Sequence, residues 1–236
     1  MRFVFVVPLL CMGLFAYWGF DAQGVVKTFK TSKKEAALTL DACGASKLSC
    51  GYDRELIDFL KARNIPATLF ITSKWIRANP KLFAELSSNP LFDVQNHGTE
   101  HKPLSVSGKS AYNIKGTANA DEIKAEVMDN HDLVKKLSGK SMSLFRSGTA
   151  HYDDESVAIV GALGYKVIGF SVNADAGATN SAETIQKEMA KTKPGDIIIA
   201  HMNHPESQNA KGLSLALKKM LDDGWKFVKV SDVVER

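Results

Sequence analysis

Short apolar runs rich in β-branched residues alternate with amphipathic stretches from residue 36 to the end of the chain, and this alternation constrains the fold most. The runs 36–42 (AALTLDA), 67–73 (ATLFITS), 92–96 (FDVQN), 143–146 (SLFR), 166–172 (KVIGFSV), 196–201 (DIIIAH) and 226–230 (KFVKV) read as strands. Between them, residues 52–64, 81–88, 120–137, 153–164, 181–192 and 213–224 carry helical periodicity, while 103–118 is rich in Ser, Gly and Asn and reads as a loop. Strands apolar on both faces, separated by amphipathic helices, predict an α/β fold with a parallel sheet covered by helices. About seven such units in a single domain predict a barrel; a doubly wound open sheet shares the local signature. No GxGxxG or Walker-type loop follows any strand, which argues against a nucleotide enzyme.

Ahead of this pattern, residues 3–20 are uncharged and follow Arg2, as in a secretory leader. The run ends without a small-x-small cleavage site, and eighteen uncharged residues are at the lower limit for spanning a bilayer. The expected organisation is therefore a signal peptide or N-terminal membrane anchor over 1–22, a linker over 23–35 and one catalytic domain over 36–236. Export to the periplasm or envelope follows. Outside the leader only Cys43 and Cys50 remain, and a disulfide between them and two free thiols are equally compatible with the sequence. The net charge of +4 is spread along 236 residues without a basic block, so no nucleic-acid partner is expected. The chain is expected to act as a monomer.

Polar residues fall at one kind of place. Asp41 ends the first strand, His97 follows the third, Arg146 ends the fourth, Asp175 lies beyond the fifth and His201 ends the sixth. In a parallel barrel these positions share one rim, where such folds place their chemistry. His97 and His101, four apart in NHGTEH, suit a divalent metal. Arg146 is placed to keep Asp41 ionised and oriented, and Asp175 to orient His201 for proton transfer. His131 and His151 read as structural, and 120–136 and 217–223 as solvated helix faces. Trp75, Tyr112 and Tyr152 are candidates for stacking on sugar rings, against the commoner packed role of aromatic residues.

The motifs LTLDAC, NHGTEH, LFRSGTAHY, SVNADAG and IIIAH resemble, in order and spacing, those of NodB-type polysaccharide deacetylases, carbohydrate esterase family 4, over about residues 36–230. The resemblance implies a distorted, incomplete (β/α) barrel with about seven parallel strands. It also implies metal-dependent removal of acetyl groups from a polysaccharide substrate, with Zn2+ the expected cation. Asp41 would match the base, His97 and His101 metal ligands, Arg146 the partner of the base, Asp175 the group orienting His201, and His201 the general acid. Three departures stand out. Ala42 replaces the aspartate that usually completes the metal site, leaving the third ligand open between Asp41, Glu100 and water. Ser147-Gly148-Thr149 replaces the usual Pro-Tyr, and the fourth motif lacks its tryptophan. With export, the substrate expected is N-acetylglucosamine of peptidoglycan. The alternatives are chitin oligomers, exopolysaccharide, xylan, or a degenerate carbohydrate-binding protein on the same scaffold. A metal hydrolase of another bond would call for a second carboxylate-histidine cluster, which the sequence lacks.

Overall fold

A computed structural model of the chain describes residues 17–44 and 49–234. Its elements run β1 (Trp18–Gly19), β2 (Glu35–Ala42), α1 (Arg54–Ala62), β3 (Ala67–Ile71), α2 (Ser73–Ala78), α3 (Pro80–Ser88), β4 (Phe92–Asn96), β5 (Ser110–Ala111), β6 (Ile114–Lys115) and α4 (Ala120–Ser138). They continue β7 (Leu144–Phe145), β8 (Tyr152–Asp153), α5 (Asp154–Ala162), β9 (Lys166–Val167), β10 (Val172–Asn173), α6 (Ala182–Met189), β11 (Ile197–His201), α7 (Asn209–Asp222), β12 (Lys226–Val228) and α8 (Val230–Val233). Helix starts are fixed by side-chain caps: Asp53, Asn119, Asp153 and Ser181 each accept a hydrogen bond from the N–H three residues on.

The main sheet has the order β10-β11-β2-β3-β4-β7-β9, every pairing in it is parallel, and β12 adds to β2. Its two edge strands are neighbours in sequence, Val167 ending one and Val172 beginning the other. Five peptide steps reach at most about 18 Å. A flat sheet would hold edges six spacings apart, about 29 Å. The sheet must therefore curl, and it forms the half-barrel that the sequence predicts; the flat doubly wound alternative is excluded.

Strand alternation sorts the core into two layers. Leu38, Leu40 and Ala42 of β2, Leu69 and Ile71 of β3 and Ile198 and Ala200 of β11 pack outward under the helices. Ala37, Phe70 and Ile197 pack on the other face, with Leu144 and Ile168. Both layers are almost wholly removed from water, and each such aliphatic side chain contributes roughly 1.5–3 kcal/mol on burial.

Several expected elements are corrected. The single strand over 166–172 is two short strands on opposite edges, because residues 168–171 cross the gap between them. Residues 23–35 are no free linker: they close that gap. Val26 N–H donates to Val167 O (2.9 Å), Gly169 N–H to Val26 O (2.8 Å) and Phe29 N–H to Gly195 O (2.8 Å). Gly169 permits this approach, since a Cβ there would lie 2.8 Å from Val25 Cγ1. Residues 103–118 contain the β5–β6 hairpin. The expected leader lies largely outside the described residues, but β1, at its end, pairs antiparallel with β8. Among the described residues no helix is long and apolar enough to cross a membrane. Cys43 and Cys50 are two buried free thiols.

Candidate active site

The inward face of β2 presents Thr39 and then Asp41, and His201 of β11 is the register partner of Asp41. Neighbouring parallel strands lie about 4.8 Å apart, so these two side chains stand side by side at the rim. Arg146, one residue past β7, reaches across the half-barrel to meet them. Its Nη1 donates to Asp41 Oδ1 (2.7 Å) and Thr39 Oγ1 (2.8 Å), Nη2 to Gly169 O (2.8 Å) and Nε to Ile168 O (3.2 Å). The guanidinium lies over the Phe70 ring at 4.3 Å and is wholly buried. Burial alone would push the Asp41 carboxyl up; Arg146, then His97 and His201, outweigh it and hold Asp41 below its ordinary value.

His97 follows β4 and is buried. Its Nδ1 bonds Arg146 O (2.9 Å), which as a donor's bond fixes the tautomer and leaves Nε2 with its lone pair free. That Nε2 lies 3.4 Å from Asp41 Oδ2 but has no hydrogen-bond partner. The His101 ring stands 5.1 Å from that of His97 at 80°. Burial pushes both imidazoles down, His101 to about 3, so both are neutral, the form that ligates metals. His101 adopts φ +65°, a conformation held from both sides. Gly148 presses on its peptide, where a Cβ would come within 2.3 Å of His101 O. Glu126 of α4 accepts from the N–H groups of Glu100 (3.0 Å) and Lys102 (3.1 Å).

Asp175 is fully buried and accepts from His201 Nδ1 (2.9 Å), His201 N–H (2.7 Å), Asn209 Nδ2 (2.7 Å) and Gly177 N–H (3.1 Å). Burial disfavours charge on either partner, yet their attraction wins: Asp175 is held below, and His201 above, its ordinary value. The cleft over these groups encloses about 490 Å³ and is lined by Asp41, Cys43, His101, Thr149 and His201, with Tyr112 at its edge.

All six residues singled out from the sequence thus converge. The third-ligand candidate Glu100 does not, because its carboxylate pairs with Lys74 at 2.7 Å. Asp41 is engaged by Arg146, and among the described residues the group of potential ligand atoms lying within 4.8 Å of one another is Cys43, His97 and His101. The buried Nε2 of His97, which has no hydrogen-bond partner, and the imidazole–thiol donor set fit a cation. Burial pushes the Cys43 thiol up to about 12. Trp75 and Tyr152 are packed in the core, whereas Tyr112 is exposed and stacks edge-on against His151 (5.3 Å). Sequence reasoning missed Cys43, Glu126 and Asn209. Glu126 had a readable signal: it shares a helix stripe with Ile123, Val127, Asn130 and Val134, so that face of 120–136 is buried and not solvated.

Parallel strands curled into a half-barrel, with polar side chains gathered at their carboxyl ends, define a NodB-type α/β protein. The family model for polysaccharide deacetylases matches residues 28–168, more than half the chain, and the protein belongs to that family. Asp41, His97, His101 and Arg146 fall inside the matched span; Asp175 and His201 lie beyond it. The chain is 27% identical over 211 residues to an uncharacterised 30.6 kDa protein of Geobacillus stearothermophilus (86% of this chain, 72% of the relative). It is 24% identical to the peptidoglycan-N-acetylmuramic acid deacetylase PdaA of Bacillus subtilis (86% and 73%). The fold is shared with the solved structure of that PdaA, a family 4 carbohydrate esterase (TM-score 0.72, 22% identity, 89% of this chain and 84% of that one). It is shared equally with a family 4 pseudoenzyme from Bacillus anthracis (TM-score 0.73, 18% identity, 89% and 68%).

Proposed function

We propose that this protein is an exported, metal-dependent hydrolase that removes N-acetyl groups from N-acetylhexosamine residues of peptidoglycan, N-acetylglucosamine first among them. The observation that carries the reading is the pairing across the rim: Asp41 held by Arg146 stands in register with His201 held by Asp175. His97 and His101 would hold the cation, with zinc suited to imidazole ligands. When bound, a divalent cation supplies Lewis acidity, polarising the acetyl carbonyl and making water nucleophilic near neutral pH.

Asp41 is the proton acceptor. Arg146 keeps it ionised through Oδ1, and Asp41 lines the cleft, so a water beside it loses a proton as it attacks. His201 is the donor: its Nδ1 proton is engaged by Asp175, which leaves Nε2–H to protonate the departing amine, a hopeless leaving group as its anion. Thr149 Oγ1, buried without a partner on the turn that abuts His101, is a donor for the developing oxyanion. Such a donor is worth about 2.7–4 kcal/mol. The apolar leader supports export, and the named activity of PdaA supports peptidoglycan.

The test is acetate release from purified peptidoglycan and chitooligosaccharides by zinc-loaded protein, with mass analysis of the sugar that lost its acetyl. Asp41→Asn and His201→Ala should each lower turnover by about 10²–10⁴-fold while far-ultraviolet circular dichroism is unchanged. Wild-type rates in either variant would reject the assigned roles. No acetate from any polymer by folded, metal-loaded protein would place it with the pseudoenzymes.

A further inference from the structure

We infer that Cys43 supplies the third protein ligand of the metal site, the one left open where Ala42 replaces the usual aspartate. The inference rests on the metal-dependent reading above and deepens it. Three observations lead here. First, side-chain alternation turns Ala42 away from the site: it packs in the outer core layer with Leu38 and Leu40, whereas Asp41 and Cys43 border the cleft. Second, Cys43 Sγ, one ring nitrogen of His97 and one of His101 all lie within 4.8 Å of one another, and His97 carries a buried Nε2 that has no hydrogen-bond partner.

Third, the sulfur is supported as a ligand is supported. Asn203 Nδ2 donates to Cys43 Sγ (3.7 Å) and to Cys43 O (2.9 Å), anchoring the residue and offering a proton to the sulfur. His97 is anchored in the same way through Nδ1 to Arg146 O. Partners of this kind orient ligands and tune the metal. On binding, the Cys43 S–H proton leaves to solvent and the thiolate lone pair forms the bond to the cation, with no change of oxidation state. Asp41 then stays with Arg146, free for proton transfer. Two imidazoles and one thiolate would make three protein ligands, the number found in catalytic rather than structural zinc sites. Thiolate ligation also biases the site toward zinc and cobalt over magnesium and manganese.

The test uses cobalt(II) as the probe, added to the full chain after chelator treatment. One equivalent should give the near-ultraviolet thiolate-to-cobalt charge-transfer band. Cys43→Ser should abolish the band and weaken cobalt binding beyond the ~10–100-fold seen when a supporting partner is lost. Cys43→Asp should lose the band yet retain visible tetrahedral cobalt absorption, which guards against a merely unfolded serine variant, and Cys50→Ser should keep the band. Stoichiometric cobalt without a thiolate band, a band that survives Cys43→Ser, or no cobalt bound at all would each overturn the assignment. Acetate release is measured separately on zinc-loaded protein. An intact band with no acetate would sink the proposed function and leave the ligand standing; acetate without the band would do the reverse.

Discussion

Replacing Arg146 by methionine removes a buried cation that ties the two halves of the barrel interior together. The guanidinium has no exposure and satisfies Asp41, Thr39 and the carbonyls of Ile168 and Gly169 at once. Methionine fills much of the volume, so the loss is chiefly electrostatic: Asp41 stays buried with its counter-charge gone. Breaking such a pair costs about 3–5 kcal/mol. For a domain of this size each kcal/mol is worth about 2–4 °C, so unfolding should come about 6–20 °C lower in Arg146→Met. Adding Asp41→Asn to that variant removes the stranded charge, so the double variant should be more stable than the two single losses summed. The sign with pH also follows. In the native protein the Asp41 pKa is depressed, so its contribution is present above the unfolded carboxylate pKa and lost as pH falls through the folded one. Without Arg146, burial dominates and the pKa rises; protonation then relieves the penalty in acid. The gap between native protein and variant should therefore widen from acid to neutral pH. Calorimetry of metal-free protein across that range is the assay. A transition displaced by under about 2 °C, equivalent to less than about 1 kcal/mol, or strict additivity in the double variant, would refute the reasoning.

Asp175→Asn keeps the shape but faces its amide N–H toward donors on one side or the other. His201 loses the charge that raises its pKa, so the alkaline limb of the kcat/KM profile should move to lower pH; an unmoved limb would show that His201 is not the titrating acid. Glu126→Ala strands the N–H groups of Glu100 and Lys102 beside His101, at about 1–3 kcal/mol per unsatisfied group. Cobalt affinity should fall with it, and titration against the native protein reads that directly. Tyr112→Ala, at the exposed edge of the cleft, should raise KM for oligosaccharides by about tenfold, within the 0.5–1.5 kcal/mol of an aromatic contact, with kcat unchanged. Equal KM values would assign that ring to packing on His151 alone.

The half-barrel was legible because its strands are buried on both faces, so each reads as an apolar run interrupted only where a polar side chain enters the site. Thr39 and Asp41 in ALTLDA are such interruptions. What could not be read is what depends on closure. The run 166–172 has strand composition throughout, yet its middle is drawn across the gap between the sheet edges, with Ile168 and Gly169 turning their carbonyls to Arg146. The partner of that crossing, Val26, lies over a hundred residues upstream in a stretch whose polar composition signals a linker. Local pattern carries no information on such a contact.

The same limit explains why the proposed metal site was hidden. Motif reading follows chain position, and at position 42 it finds alanine where an acid is usual, so the site looks incomplete. Geometry follows faces instead. With Asp41 of β2 bordering the cleft and Ala42, its last residue, packed outward, residue 43 returns to the cleft side, and the chain carries its sulfur there. Asn203, which supports that sulfur, comes from beyond β11, and His97 is oriented by a carbonyl from beyond β7. The proposed ligand set sits at two strand ends, Cys43 after β2 and both imidazoles after β4, so a thiolate at position 43 can stand in for a missing carboxylate without moving either imidazole. The loss of an acid from a motif therefore counts against function only after the residues that share its rim have been located in space.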